Sequence, residues 1–472
     1  MRAGQPTLRA RAAVDVPGPS GYARQMKSVL AAALVTLAAA ATASAELVAR
    51  GVPNGLLAVS PIGRPLVAYL DGRKLIVARR VATGEWRRET AAVLAKHSSL
   101  AAFAASTPGP VAVIVGPGQR TLFVVRRKGD RWSKTFLVRR LDAGVFLGWP
   151  GLALERGGRP VVAYTRWRER NRLSQLVLAR VTGAGAVRAW KITTNGWPAS
   201  YVAPPAAPVV LPNGDIHVVE TYGISGTVGT IEWMPTRKSW TGQFISGGVG
   251  DFPVGPMFAG LGPGNVIYSA WTEAFLGWGE FPVTLASHGR SVDASFVLNR
   301  ALTTALAVTP RGPEVAANQW VSASDVGLPS DEVLWAGTIT GRGGGELDGW
   351  IDGLVGAPTR PFQDLLLAGP GGLSWFRARG ALPVRVTLTA ELQNDGSVAL
   401  AGRVRGAGSG RVTVYRERPG YARETAGTPK LGAGGAFALV DSPRARPVLY
   451  RAVYTDPATG IPYAKLLRAP VG

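Results

Sequence analysis

The chain contains no cysteine. That excludes disulfides, thiolate metal sites, thiol nucleophiles and lipid attachment through a cysteine. Its three histidines, His97, His217 and His288, are scattered and form neither HExxH nor any other metal-ligand spacing. No P-loop, GxSxG elbow or EF-hand loop occurs, and Gly341 to Gly345 reads as a flexible turn rather than a phosphate cradle. No metal, no cofactor and no catalytic residue is therefore assigned. After residue 45 no run approaches the ~18 apolar residues of a membrane span. Helix-period segments of useful length are missing as well, which leaves strands and turns.

Acidic residues are scarce in one half only. Residues 46–191 hold 26 Lys and Arg against 8 Asp and Glu, whereas residues 192–382 hold 9 against 15. The overall charge of +23 is thus concentrated near the start. A solvated Arg-rich surface is one reading of that half; attraction to an anionic cell-envelope polymer, lipid headgroup or acidic glycan is the other. No nucleic-acid motif is present, so nucleic acid is not expected as a partner.

The first segment is a processing signal. Met26-Lys27 opens a positively charged start, Val29 to Ala41 is apolar, and Ala43-Ser44-Ala45 is a small-residue cleavage site. This reads as a secretory signal peptide. Residues 1–25 read as an upstream extension. The expected product is secreted or periplasmic, begins near Glu46 and is a monomer.

What the chain has in abundance is Gly (61) and Pro (35), spread between short apolar runs as turn residues. A phrase also recurs. Gly63-Arg64-Pro65-Leu66-Val67-Ala68-Tyr69 reappears as Gly158-Arg159-Pro160-Val161-Val162-Ala163-Tyr164. Each copy is followed by an apolar run ending in Ala-Arg (Arg79, Arg180) and then a Trp (Trp86, Trp190). Gly or Pro turns near residues 61, 107, 156, 212, 262, 310 and 369 repeat the pattern about every 50 residues. Four short strands per unit, repeated, predict an all-β fold: a seven-bladed (alternatively six-bladed) β-propeller over 46–382. The last unit shows only two strands, Leu365 to Ala368 and Leu373 to Arg377. Glu46 to Arg50 is expected to complete it and close the ring. Trp86, Trp132, Trp190 and Trp240, which recur on outer strands, are expected to pack between blades.

Beyond Leu382 the pattern changes. Seven short strands between 384 and 468, with turns at Asn394-Asp395-Gly396 and Gly432 to Gly435, predict an Ig-like β-sandwich over 383–472.

With the four strands of each propeller blade lettered A to D in chain order, the A–B and C–D turns share one end and the B–C and D–A loops share the other. The A–B turns are tight here. Long B–C loops are expected at 166–172, 222–229, 272–280 and 319–332, and long D–A loops at 139–149, 195–205, 247–255 and 350–362. Function concentrates on loops held by a rigid scaffold, so the site is expected at the B–C/D–A end. Its aromatic and acidic candidates are Trp167, Trp197, Tyr201, Trp271, Glu273, Trp278, Glu280, Trp320, Asp331, Trp350 and Asp364. Flat rings beside carboxylates suit stacking and hydrogen bonding to a sugar; they also suit plain packing. Two carboxylates at the proper separation would instead make a glycosidase or lyase, and an exposed apolar patch would suit a protein-interaction scaffold.

The order Gly-x-Pro-hydrophobic-Ala-Tyr, then Leu-x-Val-Ala-Arg, then Gly-x-Trp resembles blades of sialidase-like (BNR-like) propellers and related propeller lectins, over residues 46–382. The Asp box of that family (Ser-x-Asp-x-Gly-x-Thr-Trp) has no clean copy. Gly84-Glu85-Trp86 and Gly129-Asp130-Arg131-Trp132 resemble only its end. The arginine triad and the Tyr/Glu pair of sialidases cannot be placed, so the resemblance implies a fold without sialidase activity. The segments Ala401 to Val404, Gly435 to Leu439 and Leu449 to Ala452 resemble Ig-like modules of bacterial secreted proteins. The expected activity is binding of a glycan or other extracellular ligand, without catalysis.

Overall fold

The computed structural model describes residues 46–469, except 172, 183–184, 194–196, 199–202, 225–226, 248–251, 275–282, 289–292, 299–300, 311, 323–332, 341–344, 357–361, 370, 380–383, 408, 418–422 and 444–448. The fold is an all-β propeller joined to a two-sheet sandwich.

Among the described residues, seven sheets of antiparallel strands stand around the ring. Blade 1 is Leu56–Val59, Pro65–Asp71, Lys74–Arg80 and Trp86–Val93. Blade 2 is Ser99–Ser106, Gly109–Val115, Leu122–Lys128 and Arg131–Val138. Blade 3 has a split inner strand, Val145–Leu147 with Gly151–Leu154, then Pro160–Arg168, Leu173–Val181 and Val187–Lys191. Blade 4 is Ala206–Val210, Ile216–Ile224, Thr227–Pro235 and Trp240–Gly247. Blade 5 is Phe252–Leu261, Ile267–Ala274, Val283–His288 and Asp293–Leu298. Blade 6 is Ala301–Thr309, Gly312–Ser322, Val333–Thr340 and Gly345–Leu347. Blade 7 is Trp350–Val355, Phe362–Gly369 and Gly372–Arg379, completed by Glu46–Arg50. The innermost strands of successive blades touch, and that of blade 7 touches that of blade 1, so the circle is closed.

The repeated phrase explains the geometry. Gly63 and Gly157-Gly158 adopt φ of +79°, +85° and +75° in the tight turns, a region open to glycine at little cost. The following residues alternate in direction along a strand, but both faces of a blade meet another blade. The middle strands are therefore buried on both sides, as in Pro65–Tyr69 and Val161–Thr165. One face of blade 1, with Leu75, Val77 and Ala68, packs against Ile114 and Phe123 of blade 2. The other, with Val67, Ile76 and Ala78, packs against Leu366 and Trp375 of blade 7. Each fully buried aliphatic side chain contributes roughly 1.5–3 kcal/mol. Trp86, Trp132, Trp190 and Trp240 all pack against these interblade clusters.

Blade 7 differs in one respect from the sequence reading. Trp350–Val355 is its inner strand, not a D–A loop, and the turn at Gly369 to Gly372 joins its second and third strands. The pairing of Glu46–Arg50 with Gly372–Trp375 closes the ring as expected.

The sandwich has a three-stranded sheet, Arg385–Leu392, Val398–Arg405 and Ala436–Asp441, in that order. It faces a four-stranded sheet ordered Pro462–Arg468, Leu449–Thr455, Val412–Glu417 and Glu424–Gly427. Leu347 of blade 6 pairs with Tyr463, so the outer edge of that blade continues into the second sheet. One core runs from Ile339 and Leu347 to Tyr450, Tyr454 and Phe437. Asp348 accepts hydrogen bonds from Arg423 (2.9 Å) and Arg451 (3.3 Å) at this junction. No helix among the described residues is long and apolar enough to cross a membrane.

Candidate functional site

The connections grow long at one end of the ring. The A–B turns span only 60–64, 107–108, 155–159, 211–215, 262–266 and 310–311 in blades 1 to 6. At the opposite end six residues separate Val138 from Val145, fourteen separate Lys191 from Ala206, eight separate Ala274 from Val283 and ten separate Ser322 from Val333. The B–C connection of blade 4 is short, because the strands run to Ile224 and resume at Thr227. Residues 356–361, an A–B connection, are the longest at the other end.

Two adjoining clefts open at the B–C/D–A end. The central one, about 730 Å³, is walled by Tyr69, Trp149, Phe258, Trp350 and Asp352, with Ser99 at its rim. The second, about 430 Å³, shares Ser99, Trp149, Val254 and Gly255 with it and adds Phe146, Trp167 and Glu169. Phe146 and Trp167 lie 6.0 Å apart at 37°. Their strands are paired, Phe146 being opposite Trp167 in blade 3, which fixes the two rings side by side. The indole nitrogen of Trp167 is buried and has no hydrogen-bond partner among the described residues.

Asp352 is the carboxylate of the central cleft. It comes from the inner strand of blade 7 and is 6% exposed. Its Oδ2 accepts the Gly55 backbone N–H at 2.9 Å, and it accepts a hydrogen bond from Trp350. Burial pushes its carboxyl up to about 7, against the opposing pull of those two hydrogen bonds. At neutral pH it is thus poised between donor and acceptor.

The predicted site residues separate into groups. Trp167 and Trp350 line the clefts. Trp271 and Glu273 do not reach the surface. Both are fully buried in the blade wall, where the Trp271 indole donates to Glu273 at 2.9 Å and Thr284 donates to the same oxygen at 3.2 Å. Asp364 lies at the other end of the ring, because Phe362–Gly369 starts there. It accepts Trp375 Nε1 (3.0 Å) and Arg377 Nε (2.9 Å), and Arg377 also donates to the Gly63 carbonyl in the A–B turn of blade 1. The backbone of Trp197 pairs with Ser174, and that of Trp320 with Trp335; their side chains lie outside the described residues. Tyr201, Trp278, Glu280 and Asp331 lie outside them altogether.

Four wall residues were missed: Tyr69, Phe146, Trp149 and Phe258. Phe146 and Trp149 fall in the long 139–149 connection, and Tyr69 ends the repeated phrase, so a signal existed. Phe258 sits inside a strand and carried none. Among the described residues no group of three His, Cys, Asp or Glu is placed to hold a metal ion.

No protein-family profile matches the chain, and no curated protein matches it. Several solved structures are similar to it. A protein of unknown function from Dyadobacter fermentans is 11% identical, with a TM-score of 0.37 over 85% of this chain and 99% of that one. An α-L-arabinanase from Penicillium chrysogenum, complexed with arabinobiose, is 12% identical with a TM-score of 0.36, over 72% and 97%. The Aleuria aurantia lectin, complexed with α-methyl-L-fucoside, is 12% identical with a TM-score of 0.41, over 65% and 94%.

Proposed function

We propose that the chain is a secreted, non-catalytic glycan-binding propeller that receives its ligand in the paired clefts at the B–C/D–A end. The carrying observation is the composition of their walls: Tyr69, Trp149, Trp167 and Trp350 beside a carboxyl and hydroxyls. Aromatic faces stack on the apolar faces of a pyranose, and the polar groups fix its hydroxyls.

The same reading covers the rest of the chain. Residues 1–45 hold the signal sequence, 46–382 a sialidase-like propeller and 383–472 an Ig-like sandwich. The sandwich has seven strands in three- and four-stranded sheets, as such a module requires. The protein acts as a monomer.

A second reading, a glycoside hydrolase or lyase, is favoured by Asp352 alone, a buried acid with a raised pKa in a cleft. A glycosidase needs a second carboxylate about 5–5.5 Å or 6.5–9.5 Å away. Among the described residues Asp352 is the only carboxylate lining the central cleft.

A glycan array with the folded chain tests the proposal. Binding by the wild type, weakened about tenfold in Trp149→Ala and in Trp350→Ala, supports it. No binding to any arrayed glycan overturns it. Turnover of a bound glycan that disappears in Asp352→Asn would establish the enzymatic reading.

A further inference from the structure

A second surface lies at the opposite end of the ring, around the outer edge of blades 1 to 4. Its cations recur at matched positions. Arg79, Arg126 and Arg180 stand opposite Leu66, Val111 and Val161, the same place in the third strand of three successive blades. Each shares a face with the apolar residues that pack on the next blade. Leu75 and Val77 precede Arg79 on the side facing blade 2, and Leu176 and Leu178 precede Arg180 on the side facing blade 4. In blade 5 the matched residue is Ser287, opposite Tyr268 and Asp293. The cations are thus a property of the first three blades and not of the repeat.

They are also placed against one another. Arg79 lies directly opposite Arg87, Lys128 opposite Arg131, and Arg180 opposite Arg188. Like charges in such cross-strand pairs are destabilising. The nearby carboxylates relieve this only in part. Glu155 takes Arg180 at 2.6 Å and Arg159 at 3.3 Å, and Glu89 takes Arg127 at 3.1 Å. Arg79, Arg87, Lys128 and Arg131 have no partnering carboxylate among the described residues.

The band ends in a groove of about 950 Å³ between blades 3 and 4. Arg180, Lys191, Arg237 and Lys238 line it, with one carboxylate, Asp215, which is tied to Asn213 at 2.7 Å. Trp240, Ile216 and Pro235 give it an apolar wall. Over its Trp190 ring lie the guanidinium groups of Arg180 (5.4 Å) and Arg188 (4.9 Å).

We propose that this groove and band bind an acidic polysaccharide bearing uronate carboxylates, at a site separate from the paired clefts. A chain with regularly spaced carboxylates answers cations repeated blade after blade. The apolar wall suits a pyranose face, which a polyphosphate lacks. The guanidiniums over Trp190 already occupy the ring on which a nucleobase would stack. Cations strung around the edge of a ring follow a flexible chain more readily than the plane of a membrane.

The test measures binding of the full chain to polygalacturonate by calorimetry, with dextran as the neutral control. Saturable binding that weakens as salt rises, absent with dextran, is expected. Lys191→Glu with Arg237→Glu should lower affinity about tenfold or more, and the Gln versions should lower it less. Both positions are exposed, and retained circular dichroism and Tm confirm the fold. Reversal of Arg385 and Arg403 on the sandwich should leave affinity unchanged. Equal loss from that control, no loss from the groove reversals, or preference for polyphosphate, duplex DNA or phosphatidylglycerol vesicles over polygalacturonate would overturn the proposal.

Discussion

Glu46 accepts hydrogen bonds from Arg80 Nε at 2.7 Å and from the terminal nitrogen of the same guanidinium at 2.5 Å. One residue belongs to the strand that completes blade 7 and the other to blade 1, so a bidentate pair lies across the seam of the ring. The Trp86 indole donates to the same carboxylate at 3.2 Å, and Arg88 donates to the Val48 carbonyl at 2.6 Å. The hydrogen bond to Glu46 holds Arg80 above the ordinary guanidinium range, against desolvation.

Breaking this seam should loosen the whole ring. Arg80 keeps 32% of its side-chain surface, so solvent screens the pair and Glu46→Ala should cost only about 1 kcal/mol. Gly372→Ala should cost more, roughly 3 kcal/mol. Gly372 adopts φ +114°, and an added Cβ would lie 2.0 Å from the Ala49 carbonyl oxygen. Urea unfolding checks both: the midpoint should fall in that order. Equal midpoints for Gly372→Ala and wild type would mean that closure does not stabilise the ring.

Much of this was legible because the repeat writes the fold many times over. Gly63 and Gly158 mark the same turn, and the apolar runs after them are buried on both faces. Blade 7 was misread for a physical reason. Its inner strand is interrupted by Asp352 and Gly353, which break the apolar pattern. Asp352 is there to accept the Gly55 N–H, and Gly353 to let Leu57 approach, since a Cβ would lie 2.7 Å from that of Leu57. The site was less legible. Trp271 and Glu273 look like a ring beside an acid in any loop, yet Ile267–Ala274 carries both into the wall between blades. Sequence reports which residue types are near each other along the chain, and not which way a strand turns them.

Glu232 makes an acid-sensitive contact between blades 4 and 5. His217 Nδ1 lies 2.5 Å from Oε1 and His288 Nδ1 lies 3.2 Å from Oε2, while His288 Nε2 contacts Ser269 Oγ at 2.9 Å. Burial raises the Glu232 carboxyl, but the hydrogen bonds from both histidines and their charges outweigh it and bring it down to about 2. A depressed carboxylate contributes stability above its unfolded value of 4.5 and loses it as pH falls toward 2. Glu232→Gln should therefore lower Tm at neutral pH and flatten the acid limb in that window. Parallel acid limbs for the two proteins would dismiss the role.

Glu220 has the opposite sign. It is 2% exposed and accepts Trp233 Nε1 at 3.1 Å, and burial outweighs that bond to push its carboxyl up to about 8. The folded state holds the proton more tightly than the unfolded one, so stability is greatest below 4.5 and declines as pH rises toward 8. Glu220→Gln keeps an acceptor for the indole and removes the decline. Its Tm should match wild type below about pH 4 and exceed it at pH 8. A Tm difference independent of pH would refute the assignment.

Asp352 brings the same logic into the paired clefts. Below about 7 its carboxyl is protonated and can donate to a ligand oxygen; above that it only accepts. Binding of a neutral glycan should accordingly change in affinity across this interval, and Asp352→Asn, which cannot titrate, should bind with no such step. Trp350→Ala should act in two ways at once. It removes a stacking wall, weakening binding about tenfold, and it removes the hydrogen bond that favours the ionised form of Asp352. Trp350→Phe, which keeps a ring beside the carboxyl but has no indole N–H, should therefore move the midpoint of the pH step upward. An affinity profile flat from about pH 5 to 9 in the wild type would place Asp352 outside the ligand's reach, and an unmoved midpoint in Trp350→Phe would show that the indole N–H does not set the carboxyl's titration.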